Sequence, residues 1–182
     1  MTARRRSRVL LLAAGTALVA LGGTSASASA RPLTFAGKCQ LTGTVTFTPS
    51  LKDTPGYVKQ RVRASGTCSG RLTGRRGRTH VLNGAPVRYA ATEGGGGLSC
   101  GAGTDTGAGT LRFRRGPLHF TVVEKRVGPL AMLALTGARG GSANATATAT
   151  GNPATIAERC AGAGLKQASL SGSLSTDPSI TG

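Results

Sequence analysis

The sequence predicts an all-β domain, an antiparallel meander closing as a single barrel or sandwich and held by two disulfides. Three observations carry this. Apolar and polar residues alternate with period two through most of the chain, and after the N-terminal stretch no segment of useful length has helical period. Turn-forming pairs, Pro55-Gly56, Asn83-Gly84 and Gly128-Pro129, separate the alternating runs. Four cysteines, an even number, all follow an export signal.

That signal is the first element. Residues 1–8 carry four arginines, residues 9–21 are apolar but shorter than the roughly 20 residues a membrane-spanning helix needs, and Ala28-Ser29-Ala30 is a small-residue cleavage pattern. Residues 1–30 are expected to be a removed signal peptide and 31–182 a single secreted domain, extracellular or wall-associated. General secretion is favoured and the twin-arginine route stays open. No later apolar stretch reaches spanning length. Of 23 Lys and Arg, four lie in the signal, leaving 19 against six acids, a net charge of +13.

The stretch from Cys39 to Cys68 organises the rest. Leu41, Gly43, Val45 and Phe47 share one face of its first arm, and Val58, Gln60, Val62 and Ala64 one face of its second. Thr42, Thr44 and Thr46, and Lys59, Arg61 and Arg63, point the other way. Asp53-Thr54-Pro55-Gly56 turns the chain between the arms. Folding about Pro55-Gly56 brings Cys39 close to lying opposite Cys68, which favours that disulfide among the three possible pairings and leaves Cys100–Cys160 by elimination. A zinc site is disfavoured because there is no C-x-x-C pair and neither His80 nor His119 neighbours a cysteine.

Arg71, Arg75, Arg76 and Arg78 then crowd a glycine-punctuated loop, read as a solvated turn ahead of an anion-contacting tip. Ala85 to Ala91 makes a strand. Residues 92–109, TEGGGGLSCGAGTDTGAG, read as a long flexible connection pinned by Cys100. They lack the Lys-Ser/Thr of a phosphate-binding loop and the spacing of a dinucleotide fingerprint. Thr110 to Arg114 and Leu118 to Lys125 alternate. Leu130 to Thr136 is apolar on both faces and is placed centrally. Ser142 to Thr150 alternates alanine with Asn144 and threonines, which suggests close approach to another layer or a tapering interior. Ile156 to Cys160 makes one short helical turn, and Gln167 to Ser175 is the last strand. About nine short strands result, with a thin core whose aromatics are Phe35, Phe47, Phe113, Phe120, Tyr57 and Tyr89.

The alanine- and arginine-rich signal, the GKC and GTC elements and the segment TGARGGSANATATAT together resemble secreted β-rich proteins of high-GC actinobacteria that have no assigned activity. The resemblance implies a secreted all-β domain and carries over no functional residue.

The function supported first is non-catalytic binding of anionic partners, a wall polymer or acidic polysaccharide ahead of nucleic acid, whose stacking platforms need exposed rings. Lys59, Arg61, Arg63, Arg112 and Arg114 are the candidate anion-binding residues, because charged strand faces would repel if paired directly. A small-ligand-binding barrel with an apolar interior is the alternative. A secreted hydrolase comes last: the acids Asp53, Glu93, Asp105, Glu124, Glu158 and Asp177 fall mostly in turns or loops with no recognisable pair, and no G-x-S-x-G elbow is present. No catalytic residue, metal or cofactor is expected.

Overall fold

The computed structural model describes residues 32–74 and 76–182; the expected signal peptide, Arg31 and Arg75 lie outside them. Eight strands follow in order: β1 (Thr34–Leu51), β2 (Gly56–Thr73), β3 (Thr79–Leu98), β4 (Ala102–Phe113), β5 (Gly116–Val127), β6 (Leu130–Gly137), β7 (Gly141–Thr150) and β8 (Leu165–Thr181). One helix, α1 (Pro153–Ala161), precedes β8. Each strand runs antiparallel to the next, and β8 returns to pair with β1. The meander therefore closes as a barrel.

The β1–β2 hairpin has the expected register. Val45 opposes Val62, Cys39 opposes Cys68, and the two cysteines are disulfide-bonded with Cα atoms 4.0 Å apart. Cys100 and Cys160 form the second disulfide, tying α1 to the β3–β4 hairpin.

Strand number and length differ from expectation. Asn83-Gly84 does not turn the chain but makes a bulge inside β3. Cys68 and Gly70 of β2 pair with Ala85 and Leu82, so β3 carries one extra residue there. Gly84 takes φ +65°, and its N–H donates to Ser69 Oγ. Most of the glycine-rich segment 92–109 is likewise not a loop: it forms the end of β3 and the start of β4, paired from Gly94–Thr106 through Thr92–Ala108. Backbone ladders form without side chains, so glycine obscured the alternation without preventing the strands.

Closure also explains β6. A barrel has no central strand; Leu133 and Leu135 point inward, while Leu130 and Met132 lie outside, 37% and 39% exposed. Tyr57, expected in the core, shares parity with outward Lys59 and is 68% exposed.

The two ends of the barrel are filled differently. At one end Leu33, Phe35, Leu72, Phe113, Leu118 and Ile180 are buried, with the Phe35 and Phe113 rings 5.1 Å apart. At the other, several inward positions of β7 and β8 are small, Ala145, Ala147, Ala149, Ala168 and Gly172, set among the larger Leu165, Leu170 and Leu174. That end stays open beside α1, whose start is capped by the Asn152 side chain accepting from the Ala154 and Thr155 N–H groups. Within α1 only Cys160 is buried and Ile156 half-buried.

Candidate functional site in the open end of the barrel

The small side chains of β7 and β8 leave a cavity of about 400 Å³ at the open end, within the range of small-molecule sites. Phe47, Leu51, Ala147, Ala149, Ile156 and Leu165 are among its walls. Arg126 stands at its inner limit and also borders a deeper chamber of about 70 Å³, lined by Gln60, Tyr89 and Glu124 besides apolar residues. Val45, Ala147 and Leu170 are likewise shared, so the two spaces adjoin.

Behind this chamber lies a buried polar cluster built by four consecutive strands. Gln60 of β2 pairs with Glu93 of β3, and Asp105 of β4 pairs with Glu124 of β5. Arg126 follows Glu124 by two residues and so shares its inward face. All five side chains are buried. The Gln60 amide nitrogen lies 2.6 Å from Asp105 Oδ2, 2.9 Å from Glu124 Oε2 and 3.3 Å from Glu93 Oε2. An amide has two N–H bonds, so it cannot give a full hydrogen bond to all three at once. Arg126 orients the amide by donating to Gln60 Oε1 at 2.8 Å, pairs with Glu124 Oε1 at 2.6 Å, and lies over the Phe47 ring at 5.2 Å.

Glycine makes room for the acids. A Cβ at Gly107 would meet Glu93 Cγ at 2.6 Å, and one at Gly95 would meet Asp105 Cβ at 2.8 Å. The segment expected to be a connection is thus a glycine-lined bay for carboxylates.

Burial and mutual repulsion shift two of these carboxyl groups. Burial first, then the charges of Glu124 and Asp105, pushes Glu93 up to about 9. Burial and Glu124 push Asp105 up to about 6, against the opposing pull of Glu93, Arg126 and Gln60. The Tyr89 hydroxyl is held well above its ordinary value by burial and then by Glu93, Glu124 and Asp105. Among the described residues, three buried side-chain atoms have no hydrogen-bond partner: Glu93 Oε1, Asp105 Oδ1 and Tyr89 Oη. The cluster can hold protons or a cation. One oxygen each from Glu93, Asp105 and Glu124 lie within 4.8 Å of one another, close enough to share one ion. A second grouping, Asp53 with Cys100 and Cys160, offers no thiolate because its cysteines are disulfide-bonded.

Of the six acids, Asp53 lies in the β1–β2 turn, Glu158 in α1 and Asp177 in β8. The other three, Glu93, Asp105 and Glu124, lie on strands and converge, which corrects the expectation that no two form a pair. Their parity was readable. Glu93 continues the inward series Val87, Tyr89, Ala91, and Glu124 continues Leu118, Phe120, Val122. Asp105 has the parity of Leu111 and Phe113.

The five candidate anion-binding residues lie on the outside and are exposed, but not as one patch. Lys59, Arg61 and Arg63 of β2 oppose Thr48, Thr46 and Thr44 on one side and Gly94, Thr92 and Ala90 on the other. β3 separates them from Arg112 of β4, and Arg114 falls in the β4–β5 turn. The residue that joins the two groups is Arg88 of β3, directly opposite Arg112 and diagonal to Arg63. Of the arginine-rich loop, Arg71, Arg76 and Arg78 are exposed.

No protein-family model matches the chain, and searches of curated proteins and of solved structures return no match.

Proposed function

We propose that this protein is an exported, non-catalytic β-barrel that binds a small, largely apolar molecule through its open end. The single observation behind this reading is the cavity of about 400 Å³ beside Ala147 and Ala149, adjoining the smaller chamber at Arg126. A close-packed protein fills such space unless something else occupies it. Two disulfides suit an oxidising compartment, and the reading places the protein outside the cell or at the wall. The test uses Nile red, an uncharged probe whose emission rises in apolar surroundings. Saturable emission is expected with the wild type. Ala147→Phe, which fills the cavity, should abolish it, and Asn144→Phe on the exposed face of β7 should leave it intact. Equal emission from wild type and Ala147→Phe would overturn the reading.

A second reading rests on a different observation. Arg88 and Arg112 are directly opposed on the outer face with Arg63 on the diagonal, an arrangement of like charges that an anionic partner would relieve. The partner in that reading is a wall polymer or acidic polysaccharide. Nucleic acid fits less well because, among the described residues, Tyr57 is the single exposed Phe or Tyr ring.

A further inference from the structure

We propose that Glu93, Asp105 and Glu124 bind an oxygen-preferring divalent cation of the calcium class inside the barrel, beside the Tyr89 hydroxyl. The inference is independent of the apolar ligand, although the same chamber gives the ion its way in.

Four observations carry it. First, the donor set is right: three carboxylates and no nitrogen or sulfur ligand, the chemistry of hard cations. Second, the spacing is right, since oxygens within 4.8 Å of one another can each reach an ion at roughly 2.3–2.6 Å. Third, the protein's own compensation is incomplete. Arg126 is the single cation in the cluster and is already committed to Glu124 and Gln60. The Gln60 amide has two N–H bonds for three carboxylates. With the carboxylates ionised the cluster carries two uncompensated charges in a buried setting, and a divalent cation cancels them.

The fourth observation lies outside the acidic residues. Tyr89 is 5% exposed, its hydroxyl has no partner, and it lines the same chamber as Gln60 and Glu124. A buried tyrosine hydroxyl ordinarily finds a hydrogen-bond partner. Glu93 Oε1 and Asp105 Oδ1 are orphaned in the same place. Orphans of both carboxylate and hydroxyl type are accounted for together by an ion carrying water: the ion takes the carboxylate oxygens, and its water accepts from Tyr89.

The absence of tryptophan permits a selective experiment, because the only tyrosines are Tyr57 and Tyr89. Full-length exported protein is stripped with chelator and titrated with Ca²⁺ and Mn²⁺, following thermal midpoint and calorimetric heat. In parallel, Tb³⁺ is added as a luminescent calcium analogue and excited through tyrosine. The expected result is a raised midpoint with Ca²⁺ or Mn²⁺ and sensitised Tb³⁺ emission that Ca²⁺ or Mn²⁺ competes away. Tyr89→Phe should remove the emission and Tyr57→Phe should keep it. Glu93→Gln and Asp105→Asn should weaken binding by more than the roughly tenfold to hundredfold that loss of a supporting hydrogen bond costs. A wild type that neither shifts nor sensitises overturns the proposal. So does emission that depends on Tyr57, or binding that both carboxylate variants retain, since the ion then sits elsewhere. If either carboxylate variant fails to fold, the two tyrosine variants decide the question.

Discussion

Asp105 and Glu124 are direct cross-strand partners in the β4–β5 ladder, and both point into the barrel. Like charges placed opposite each other weaken a sheet even on its wet face. In the interior the repulsion is stronger because water does not screen it. The fold answers with Arg126 on Glu124, with the Gln60 amide between the carboxylates, and with a proton kept on Glu93 up to about pH 9.

The first prediction follows from that proton. In the unfolded chain Glu93 and Asp105 ionise near their ordinary values, about 4.5 and 3.8. Folded, they hold their protons to about 9 and about 6. The folded state therefore binds protons more tightly, and the stability this contributes is fully present below about pH 4. It is lost as pH rises, through about 6 for Asp105 and about 9 for Glu93. In chelator the thermal midpoint should be higher near about pH 5 than near about pH 8, and Glu93→Gln should flatten that fall and raise the midpoint at the alkaline end. Differential scanning calorimetry across pH checks it. A wild-type profile that rises with pH would show that the cluster is not the dominant titrating unit.

Gly107→Ala should be more harmful than an exposed Gly→Ala. Its Cβ would sit 2.2 Å from the Thr92 carbonyl oxygen and 2.6 Å from Glu93 Cγ, so backbone or carboxylate must move. Overpacking of this kind costs about 1–3 kcal/mol. Gly96→Ala, with nothing within 4 Å, is the control. Chemical denaturation of both variants measures the difference.

Much of the barrel was legible because the relevant residues have side chains that alternate. Leu41, Val45 and Phe47 against Val58, Gln60 and Val62 fix the β1–β2 register, and the turn between them places Cys39 opposite Cys68. The polar core was hidden for a physical reason. Around Glu93 and Asp105 the inward neighbours are Gly95, Gly103, Gly107 and Gly109, which contribute no hydrophobic period. The glycines that admit the carboxylates are the same residues that made the segment resemble a loop. The choice of barrel over sandwich was not legible either, since it depends on β8 pairing with β1, the longest-range contact in the sheet.

Removing the Cys100–Cys160 disulfide should loosen the rim before it unfolds the barrel. The crosslink spans 60 residues of sequence, and loop-closure entropy alone assigns it about 4 kcal/mol at most. Its local effect is on α1, which has little buried surface of its own. In Cys100→Ser/Cys160→Ser, hydrogen exchange should accelerate first over 153–161 while β1 and β2, still joined by Cys39–Cys68, stay protected. Uniform acceleration through the whole barrel would mean that α1 and the barrel open as one unit.

The last prediction concerns the outer face. Arg63, Arg88 and Arg112 occupy adjacent strands, and burial of Val62, Val87 and Leu111 on the inner face forces all three outward together. Lys59 and Arg61 extend this group along β2, whereas Arg114 sits in a turn where its side chain is freer to move away. Polyanion binding should therefore depend more on Arg88 and Arg112 than on Arg114. It should also fall steeply with salt, because exposed charges are screened beyond about 8 Å at physiological ionic strength. Retention on heparin or purified wall polymer in a salt gradient measures this. Arg88→Gln/Arg112→Gln should elute clearly earlier than wild type and Arg114→Gln close to it. Equal elution of all three would mean that the opposed arginines carry no binding beyond the protein's net charge. An Arg114→Gln loss as large as the double variant's would move the contact from the strands to the turn, and with it the reason for preferring an extended polymer.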